Sequence, residues 1–332
     1  MGKNHQLRGV SIFLAGLFTI VMVYATVVIP MKLHAQISSV ITGEKITFLT
    51  SSGLLWRIGM VSLCLLVALV VAGFVLEKTR LSSLGSVLLY LPTFSYFALV
   101  MWWLYGIGFL RVLWLPIADI LPFVGELVYL PYLVLIPLVR ILSWLLGTDI
   151  GIIGIIAGYG SICFFIGGGS FVFLLGTEAW LYGKKKGQAV IDFGVYQYSR
   201  HPQYLGFILW SYGGSFRVGS VAPPPVLWGY IHPGFPWLVS VLLVMCIALF
   251  EEQTMVQEYG EEYLSYREET PFLLPLPSFL ATLVTGPMRL LLGKDHPTKK
   301  REIAYVFFLY LSLYLLAAYL FHYLMLALLG SR

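Results

Sequence analysis

Long apolar runs separated by shorter polar segments organise most of the chain. A bilayer core about 30 Å thick requires about 20 apolar residues of helix. Apolar runs near this length, or somewhat shorter, are residues 10–29, 58–76, 84–105, 151–175, 202–216, 236–250 and 303–328. The polar residues 31–53 predict a loop after the first run, and residues 251–302 form the longest polar region. The pattern predicts an all-α fold, a polytopic transmembrane helical bundle with about seven to nine spans.

Residues 112–146 are apolar but interrupted. They contain four prolines and two carboxylates, at Pro116, Pro122, Pro131, Pro137, Asp119 and Glu126. Because proline breaks the helical hydrogen-bond ladder, both one broken span and a pair of half-spans are open. In the following run, small residues let helices approach closely, and they stand at Gly151, Gly154, Gly158, Gly160 and Gly167–Gly169.

The composition supports a membrane protein and excludes several other classes. Hydrophobic residues make up 59% of the 332 residues and charged residues 11%, with a mean hydropathy of +0.86. A soluble domain carries about 25% charged residues. Disorder, a nucleic-acid module and a secreted disulfide scaffold are therefore excluded. The three cysteines, Cys64, Cys163 and Cys246, lie in apolar runs with no zinc-ligand spacing, so we expect buried thiols and no metal.

The basic residues predict the orientation of the chain. Positive side chains mark the cytoplasmic side of a membrane. The flanking residues concerned are Lys3, Arg8, Lys78, Arg80, Lys184–Lys186, Arg200, Lys294 and Lys299–Arg301. All of them fit one side if residues 106–148 cross an even number of times, which favours the two half-spans. We therefore expect a multi-pass integral membrane protein.

The first polar segment with candidate chemistry is residues 194–206. Pro202 suits the first position of a helix, so His201 is expected at a helix entrance, where free N–H groups favour an anion. Tyr196 and Tyr204 add aromatic surface, and Gly206 allows close approach. The segment predicts a pocket for a ligand that is anionic at one end and flat or cationic at the other. An ordinary interfacial turn with aromatic side chains is the alternative.

The second polar segment begins at Glu251 and Glu252, directly after an apolar run. Carboxylates at a membrane edge are costly unless they are paired or functional. Tyr259, Tyr263 and Tyr266 recur at helical spacing and predict one shared helical face. The exposed face is then glutamate-rich, with Glu258, Glu261 and Glu262. The alternative is a helix that simply leaves the bilayer.

The two segments bracket a C-terminal helical hairpin formed by runs 202–216 and 236–250. Folding the hairpin brings its two cytoplasmic ends together. We therefore interpret this hairpin as catalytic, with His201 and Glu252 close in space.

The pattern Gly194-Val-Tyr-x-x-x-Arg-His-Pro-x-Tyr-x-Gly206, followed by Glu251-Glu252 and a Glu-Tyr-Gly-Glu-Glu-Tyr block, resembles the isoprenylcysteine carboxyl methyltransferase and phospholipid N-methyltransferase superfamily. The resemblance covers about residues 186–275. It implies an integral-membrane enzyme that uses S-adenosylmethionine without a Rossmann domain. It also implies an active site facing the cytoplasm and a lipophilic small-molecule or lipid acceptor.

The resemblance assigns roles to individual residues. The cofactor-binding residues that it implies are Gln188, Ala189, Val190, Ile191, Tyr196, His201, Pro202, Gln203, Tyr204 and Glu251. The catalytic residues that we assign are His201, Glu252 and Arg200. The family's arginine four residues before the matching glutamate is replaced here by Ile247, so the resemblance does not carry a prenylcysteine carboxylate over as the acceptor.

The expected organisation is N-terminal transmembrane helices at 1–175, a cofactor-binding catalytic region at 176–275, and a polar linker with a final transmembrane helix at 276–332. Two other functions remain open. One is an NADPH-dependent membrane reductase of the sterol-reductase type, but residues 251–270 carry only Arg267 against seven glutamates. The other is a transporter or a scaffold without catalysis, suggested by the broken stretch 112–146.

Overall fold

The computed structural model describes residues 2–38, 53–76, 135–220 and 234–329, with a few further residues between 117 and 127. Helices account for most of these residues, and no strand occurs among them. Several predicted features lie outside the described residues: the run 84–105, Asp119, Glu126 and residues 221–233, which connect the two runs of the expected hairpin. The all-α prediction is confirmed for the part of the chain that is described.

The described helices follow one another in a simple order. We label them α1 (Gly2–Ser38), α2 (Leu54–Val75), α3 (Leu135–Leu146), α4 (Ile150–Lys186), α5 (Pro202–Ser220), α6 (Gly234–Tyr259), α7 (Glu261–Glu269), α8 (Ser278–Leu292) and α9 (Lys300–Leu329). A single 3₁₀ turn, Gly194–Gln197, lies between α4 and α5.

Four of these helices contain segments long and apolar enough to cross a membrane. The segments are Asn4–Tyr24, Ile150–Lys186, Trp237–Tyr259 and Lys300–Leu324. Large apolar side chains on their surfaces, such as Phe13 at 71% and Phe164 at 72% exposure, suit contact with lipid. The chain is therefore an integral membrane protein, while the larger number of seven to nine spans stays a prediction.

The predicted loop 31–53 is wrong at its beginning, because α1 continues to Ser38. Residues 31–38 are mostly good helix formers, such as methionine, lysine, leucine, alanine and glutamine, so the helix outlasts its apolar run. The region 251–302, which was predicted to be polar throughout, also includes an apolar helix. This helix is α8, whose sequence is largely apolar.

The residues group into two compact units. The first comprises Met1–Tyr24, Ile166–Ser211 and Leu242–Leu309, and the second comprises Ala25–Phe165, Tyr212–Val241 and Tyr310–Arg332. In the first unit, Pro202, Leu243 and Ile303 are among the most deeply buried side chains. In the second, the ring of Phe165 packs edge-on against Tyr212. The predicted three-part division at 175 and 275 stays a prediction.

Two glycines let α4 and α5 cross with their backbones in contact. A Cβ atom on Gly169 would lie 2.3 Å from the Trp210 amide nitrogen, and one on Gly206 would lie 2.5 Å from the Phe173 nitrogen. The predicted close approach at Gly206 is confirmed. In contrast, a Cβ on Gly167 or Gly168 would meet no described atom within 4 Å. The crossing fixes the start of α5 relative to α4.

The cysteine prediction holds only in part. All three cysteines are free thiols, but Cys64 and Cys163 are exposed and only Cys246 is buried. Helix surfaces that face lipid present apolar side chains outward, which is why an apolar run does not by itself imply burial.

Candidate functional site

The segment between α4 and α5 begins at a regular helix end. Gly187 has φ of +74°, its N–H donates to the Lys184 carbonyl, and the Gln188 N–H donates to the Gly183 carbonyl. This pair of bonds is a Schellman motif, which terminates helices at a left-handed glycine. The chain then turns back along α4. Gln188 is consequently exposed and Ala189 is half-buried.

The next residues pack into a small apolar cluster. Ile191 and Tyr196 are buried together with Ala179 of α4, and Val190 is 7% exposed. The side chains of Val190 and Ile191 therefore point into protein, and only their backbone groups remain to meet a ligand. Burial, reinforced by the neighbouring Tyr266 and Glu251, raises the pKa of Tyr196, so that its phenol stays protonated.

His201 stands at the entrance of α5, as predicted. The helix begins at Pro202, and the first helical bond runs from the Leu205 N–H to the His201 carbonyl. Proline loses nothing at this position because its missing N–H would have had no helical partner. The Ser199 hydroxyl accepts the His201 N–H at 3.3 Å and steadies the turn.

Arg200, His201 and Glu252 form a buried charged cluster. The Nε atom of Arg200 lies 2.8 Å from Glu252 Oε1, and both side chains are 4% exposed. The Nε2 atom of His201 lies 3.1 Å from the same oxygen. Because a carboxylate paired with arginine only accepts hydrogen bonds, the Nε2–H group of His201 donates a hydrogen bond to Glu252 Oε1. This bond holds the ring of His201 in one orientation.

Arg200 also binds the segment that follows α6. Its Nη1 atom donates to the Arg267 carbonyl at 2.6 Å, and its backbone N–H donates to the Pro271 carbonyl at 3.0 Å. The guanidinium lies over the Phe272 ring at 5.6 Å. The same ring packs edge-on against His201 at 5.1 Å. Arg200 thus connects the entrance of α5 to α6, to α7 and to the segment after α7.

Tyr204 and Glu251 form a second contact on the more open side of the cluster. The Tyr204 hydroxyl donates to Glu251 Oε1 at 2.7 Å, and the Tyr204 ring stacks on His201 with centroids 5.6 Å apart. Unlike Glu252, Glu251 is exposed. Glu251 therefore offers an accessible carboxylate beside an aromatic ring.

The predicted tyrosine face of the acidic region is wrong for Tyr259. Gly260 adopts φ of +54° and separates α6 from α7, so the three tyrosines do not share one helix. Tyr263 is buried, and the Tyr266 hydroxyl donates to the Tyr196 carbonyl at 2.7 Å. Burial raises the pKa of both. Glu258, Glu261 and Glu262 are exposed, as predicted.

His296 is a titratable neighbour that the sequence analysis missed. It lies in the loop 293–299, whose Pro297 carbonyl accepts a hydrogen bond from Gln253 Nε2 at 3.1 Å. Burial first, and then the charges of Arg267 and Arg200, lower the pKa of His296, while Glu252 and Asp295 act against that shift. No motif marks this residue, because a distant loop brings it to the cluster.

The structure thus brings most of the predicted residues together. Arg200, His201, Tyr204, Glu251 and Glu252 are joined by direct contacts. Pro202 is fully buried, and Gln203 Nε2 donates to Thr177 Oγ1 of α4 at 3.4 Å. Tyr196 lies near Glu251 and Tyr204, as their electrostatic interactions indicate. Gln188 and Ala189 have no described contact with the charged cluster.

Comparison with known families bears on the same residues. Residues 155–262 match the phospholipid methyltransferase family. The match spans most of α4 and all of α5 and α6, and it contains Arg200, His201, Tyr204, Glu251 and Glu252. The later residues around this cluster, Arg267, Pro271, Phe272 and His296, lie beyond the match. The superfamily resemblance carried by the sequence is confirmed. No solved structure matches the chain significantly.

Individual relatives match the same part of the chain. Protein-S-isoprenylcysteine O-methyltransferase B of Arabidopsis thaliana is 29% identical over 86 residues, 25% of this chain and 37% of its own length. The Schizosaccharomyces pombe protein-S-isoprenylcysteine O-methyltransferase is 28% identical over 97 residues, 28% and 36% of the two lengths. Methanethiol S-methyltransferase of Crocosphaera subtropica is 30% identical over 101 residues, 30% and 35%. The chain thus spans little more than a third of these relatives.

Proposed function

We propose that the protein is an integral-membrane methyltransferase that uses S-adenosylmethionine and acts on a lipophilic acceptor at the cytoplasmic interface. The observation that carries the proposal is the contact between two distant segments of the chain. Tyr204 contacts Glu251, which lies 47 residues later, and His201 contacts Glu252, which lies 51 residues later. Both segments lie inside the residues that match the methyltransferase family.

The groups at this place suit the amino-acid end of S-adenosylmethionine. The exposed carboxylate of Glu251 complements an ammonium group, and the N-terminus of α5 complements a carboxylate. The ring of Tyr204 offers a face to a sulfonium, a cation–π contact of roughly 0.5–2 kcal/mol. Bound there, the cofactor supplies a methyl group on a positively charged sulfur.

The buried cluster acts as support for this surface. Arg200 and Glu252 are both 4% exposed, so they hold the entrance of α5 rather than reach outward. His201 is bound to Glu252 through Nε2, so Nδ1 is the ring atom that could meet an acceptor. An acceptor that carries a proton needs a base, and His201 is better placed for this role than Glu252. Most of the catalysis is then positioning and exclusion of water.

The acceptor is a lipophilic molecule with a nucleophilic oxygen, nitrogen or sulfur atom. The relatives are named for transfer to oxygen and to sulfur, which supports this range. Ile247 supplies no charge to bind an acceptor carboxylate. The basic end of α4, Lys184–Lys186, supports a site on the cytoplasmic side, where the polar cofactor is available.

The direct test is methyl transfer. Purified protein in lipid nanodiscs is incubated with methyl-labelled S-adenosylmethionine and total membrane lipid, and labelled products are identified by mass. We expect one lipid-soluble class of product. Absence of both labelled product and cofactor binding would refute the proposal, and saturable binding of NADPH in its place would favour the reductase.

The role of Glu251 is tested by Glu251→Gln, with Glu262→Gln as the matched control. Both glutamates are exposed and belong to the same acidic region, but only Glu251 contacts Tyr204. A charged hydrogen bond contributes about 1.5–3 kcal/mol, so Glu251→Gln should weaken cofactor binding about tenfold or more. The control should bind as the wild type does. Equal affinity of the two variants would remove Glu251 from the site.

A further inference from the structure

Helix α8, Ser278–Leu292, carries an exposed apolar face that the proposed function does not use. Phe279 is 69%, Leu283 is 71% and Leu290 is 90% exposed. These residues stand 4 and 7 positions apart, which places them on one side of an α-helix. On the opposite side, Met288 is only 8% exposed and packs into the protein. The helix therefore has a buried side and a separate outward apolar stripe.

The dimensions of α8 exclude a membrane crossing. Its 15 residues extend over about 22 Å, whereas a hydrocarbon core is about 30 Å thick. The helix begins at Ser278 and stops at Leu292, because Gly293 adopts φ of +68°. A short helix with a strong apolar stripe is typical of segments that lie along a membrane surface.

The connection to α9 places this stripe near the membrane boundary. Only residues 293–299 separate α8 from α9, which contains the candidate span Lys300–Leu324. This short connection is fixed in shape, because Glu302 accepts the N–H groups of Thr298 at 2.7 Å and Lys299 at 3.1 Å. Lys294 Nζ also bonds Glu302 at 2.9 Å. α8 therefore ends where α9 enters the bilayer.

The charges around this connection complement an anionic surface. Residues 289–302 contain five basic and two acidic side chains. Asp295 pairs with Arg289, and Glu302 pairs with Lys294. Lys299 and Arg301 are both exposed. Basic side chains beside an apolar stripe are the arrangement that binds anionic lipid headgroups.

We propose that α8 lies along the membrane surface, with Phe279, Leu283 and Leu290 in the boundary between headgroups and acyl chains, and with Lys299 and Arg301 against anionic headgroups. The occupant of the apolar face is lipid. This inference does not depend on methyl transfer, because it rests on the exposed stripe, the basic connection and the start of α9.

The test measures depth in the bilayer by electron paramagnetic resonance. Single spin labels are attached at Leu283→Cys and Leu290→Cys in a variant without native cysteines, reconstituted in nanodiscs. Accessibility to oxygen and to a polar nickel complex gives the depth. Labels at Phe164 of α4 and at Glu268 of α7 serve as the deep and aqueous references, since both side chains are exposed in the protein.

We expect labels at 283 and 290 to lie about 5–10 Å into the headgroup and acyl boundary, between the two references. Accessibility to nickel equal to that at Glu268 would overturn the proposal. So would protection from both reagents, which would mean that protein covers the stripe. Dipolar coupling between labels would then identify a second copy as that cover.

The headgroup contact is tested in nanodiscs of neutral lipid and of lipid containing phosphatidylserine. We expect the label at 290 to move deeper in anionic lipid, and the Lys299→Gln/Arg301→Gln variant to lose this shift. The Glu261→Gln variant is the control, because Glu261 is an exposed residue elsewhere in the same unit, and it should keep the shift in depth. Equal depths in both lipids for the wild type would remove the anionic contact from the proposal.

Discussion

The variant Gly169→Ala should separate α4 from α5 and disturb the site at the entrance of α5. The added Cβ would lie 2.3 Å from the Trp210 nitrogen, 2.7 Å from the Gly206 oxygen and 2.8 Å from the Trp210 Cα atom. All three are backbone atoms, so no side-chain rotation relieves the contact. Ordinary contact begins near 3.4 Å, and the two helices must therefore move apart by about 1 Å.

Two effects of opposite sign contribute to the free energy of unfolding. Replacing glycine by alanine within a helix is favourable by about 1 kcal/mol. Overpacking a close contact costs about 1–3 kcal/mol, and more where backbone must move. At Gly169 the second effect should prevail. At Gly168, where a Cβ would meet no described atom within 4 Å, only the first applies. Gly168→Ala is therefore the matched control, and it should raise the free energy of unfolding where Gly169→Ala lowers it.

The shift should also reach His201. This residue lies five positions before Gly206, and its Nε2 is 3.1 Å from Glu252 Oε1. A displacement of about 1 Å at catalytic groups can reduce rate about a hundredfold. We expect Gly169→Ala to lower the unfolding temperature in detergent and to weaken binding of S-adenosylmethionine, while Gly168→Ala changes neither adversely. Equal thermal stability and binding of the two variants would refute the backbone contact.

Three further predictions concern the cluster itself. Glu252→Gln leaves the buried Arg200 without a charge partner and should cost about 3–5 kcal/mol of unfolding free energy, measured by denaturation in detergent. Tyr266→Phe removes the hydrogen bond to the Tyr196 carbonyl and should cost about 1 kcal/mol, by the same measurement. The lowered pKa of His296 means that the unfolded chain binds a proton more readily below about pH 6.5. Stability should therefore fall on acidification through that range, and His296→Gln should reduce this fall.

Each of these has a control. The double variant Arg200→Met/Glu252→Leu should lose less unfolding free energy than the sum of the losses in Arg200→Met and in Glu252→Leu. The reason is that the double variant leaves no unpaired charge buried. Tyr259→Phe, which removes only a bond between exposed groups, should leave stability nearly unchanged. A pH profile of His296→Gln that overlies the wild type would contradict the assignment of the acid sensitivity to this histidine.

The sequence predicted the meeting of the α5 entrance with the acidic pair at 251–252, but it did not predict much of the packing around them. Pro202 and His201 carry local information, since proline favours the first turn of a helix wherever it occurs. The contact with Glu252 then followed from the expected hairpin. The glycine run shows the limit of such reasoning. Gly167, Gly168 and Gly169 are adjacent in sequence, yet only Gly169 faces a neighbouring backbone, because the position of α5 decides which face is covered.

Features that depend on tertiary placement could not be predicted. The spacing of Tyr259, Tyr263 and Tyr266 fits one helix, but Gly260 with its positive φ ends α6 between them. His296 reaches the cluster only because residues 293–299 fold back over Gln253. The apolar helix α8 lay within a region read as polar, since charged residues on either side dominated the composition of the whole stretch.

The ion pair and hydrogen bonds of Arg200 have a consequence for the order in which the protein folds during synthesis. Its partners stand at positions 252, 267 and 271, all of which leave the ribosome later than the arginine itself. Until residue 271 has emerged, the nascent chain holds a cation without its complete set of final partners. Assembly of this corner must therefore wait for late synthesis, and chains cut short before that point should be cleared by quality-control proteases.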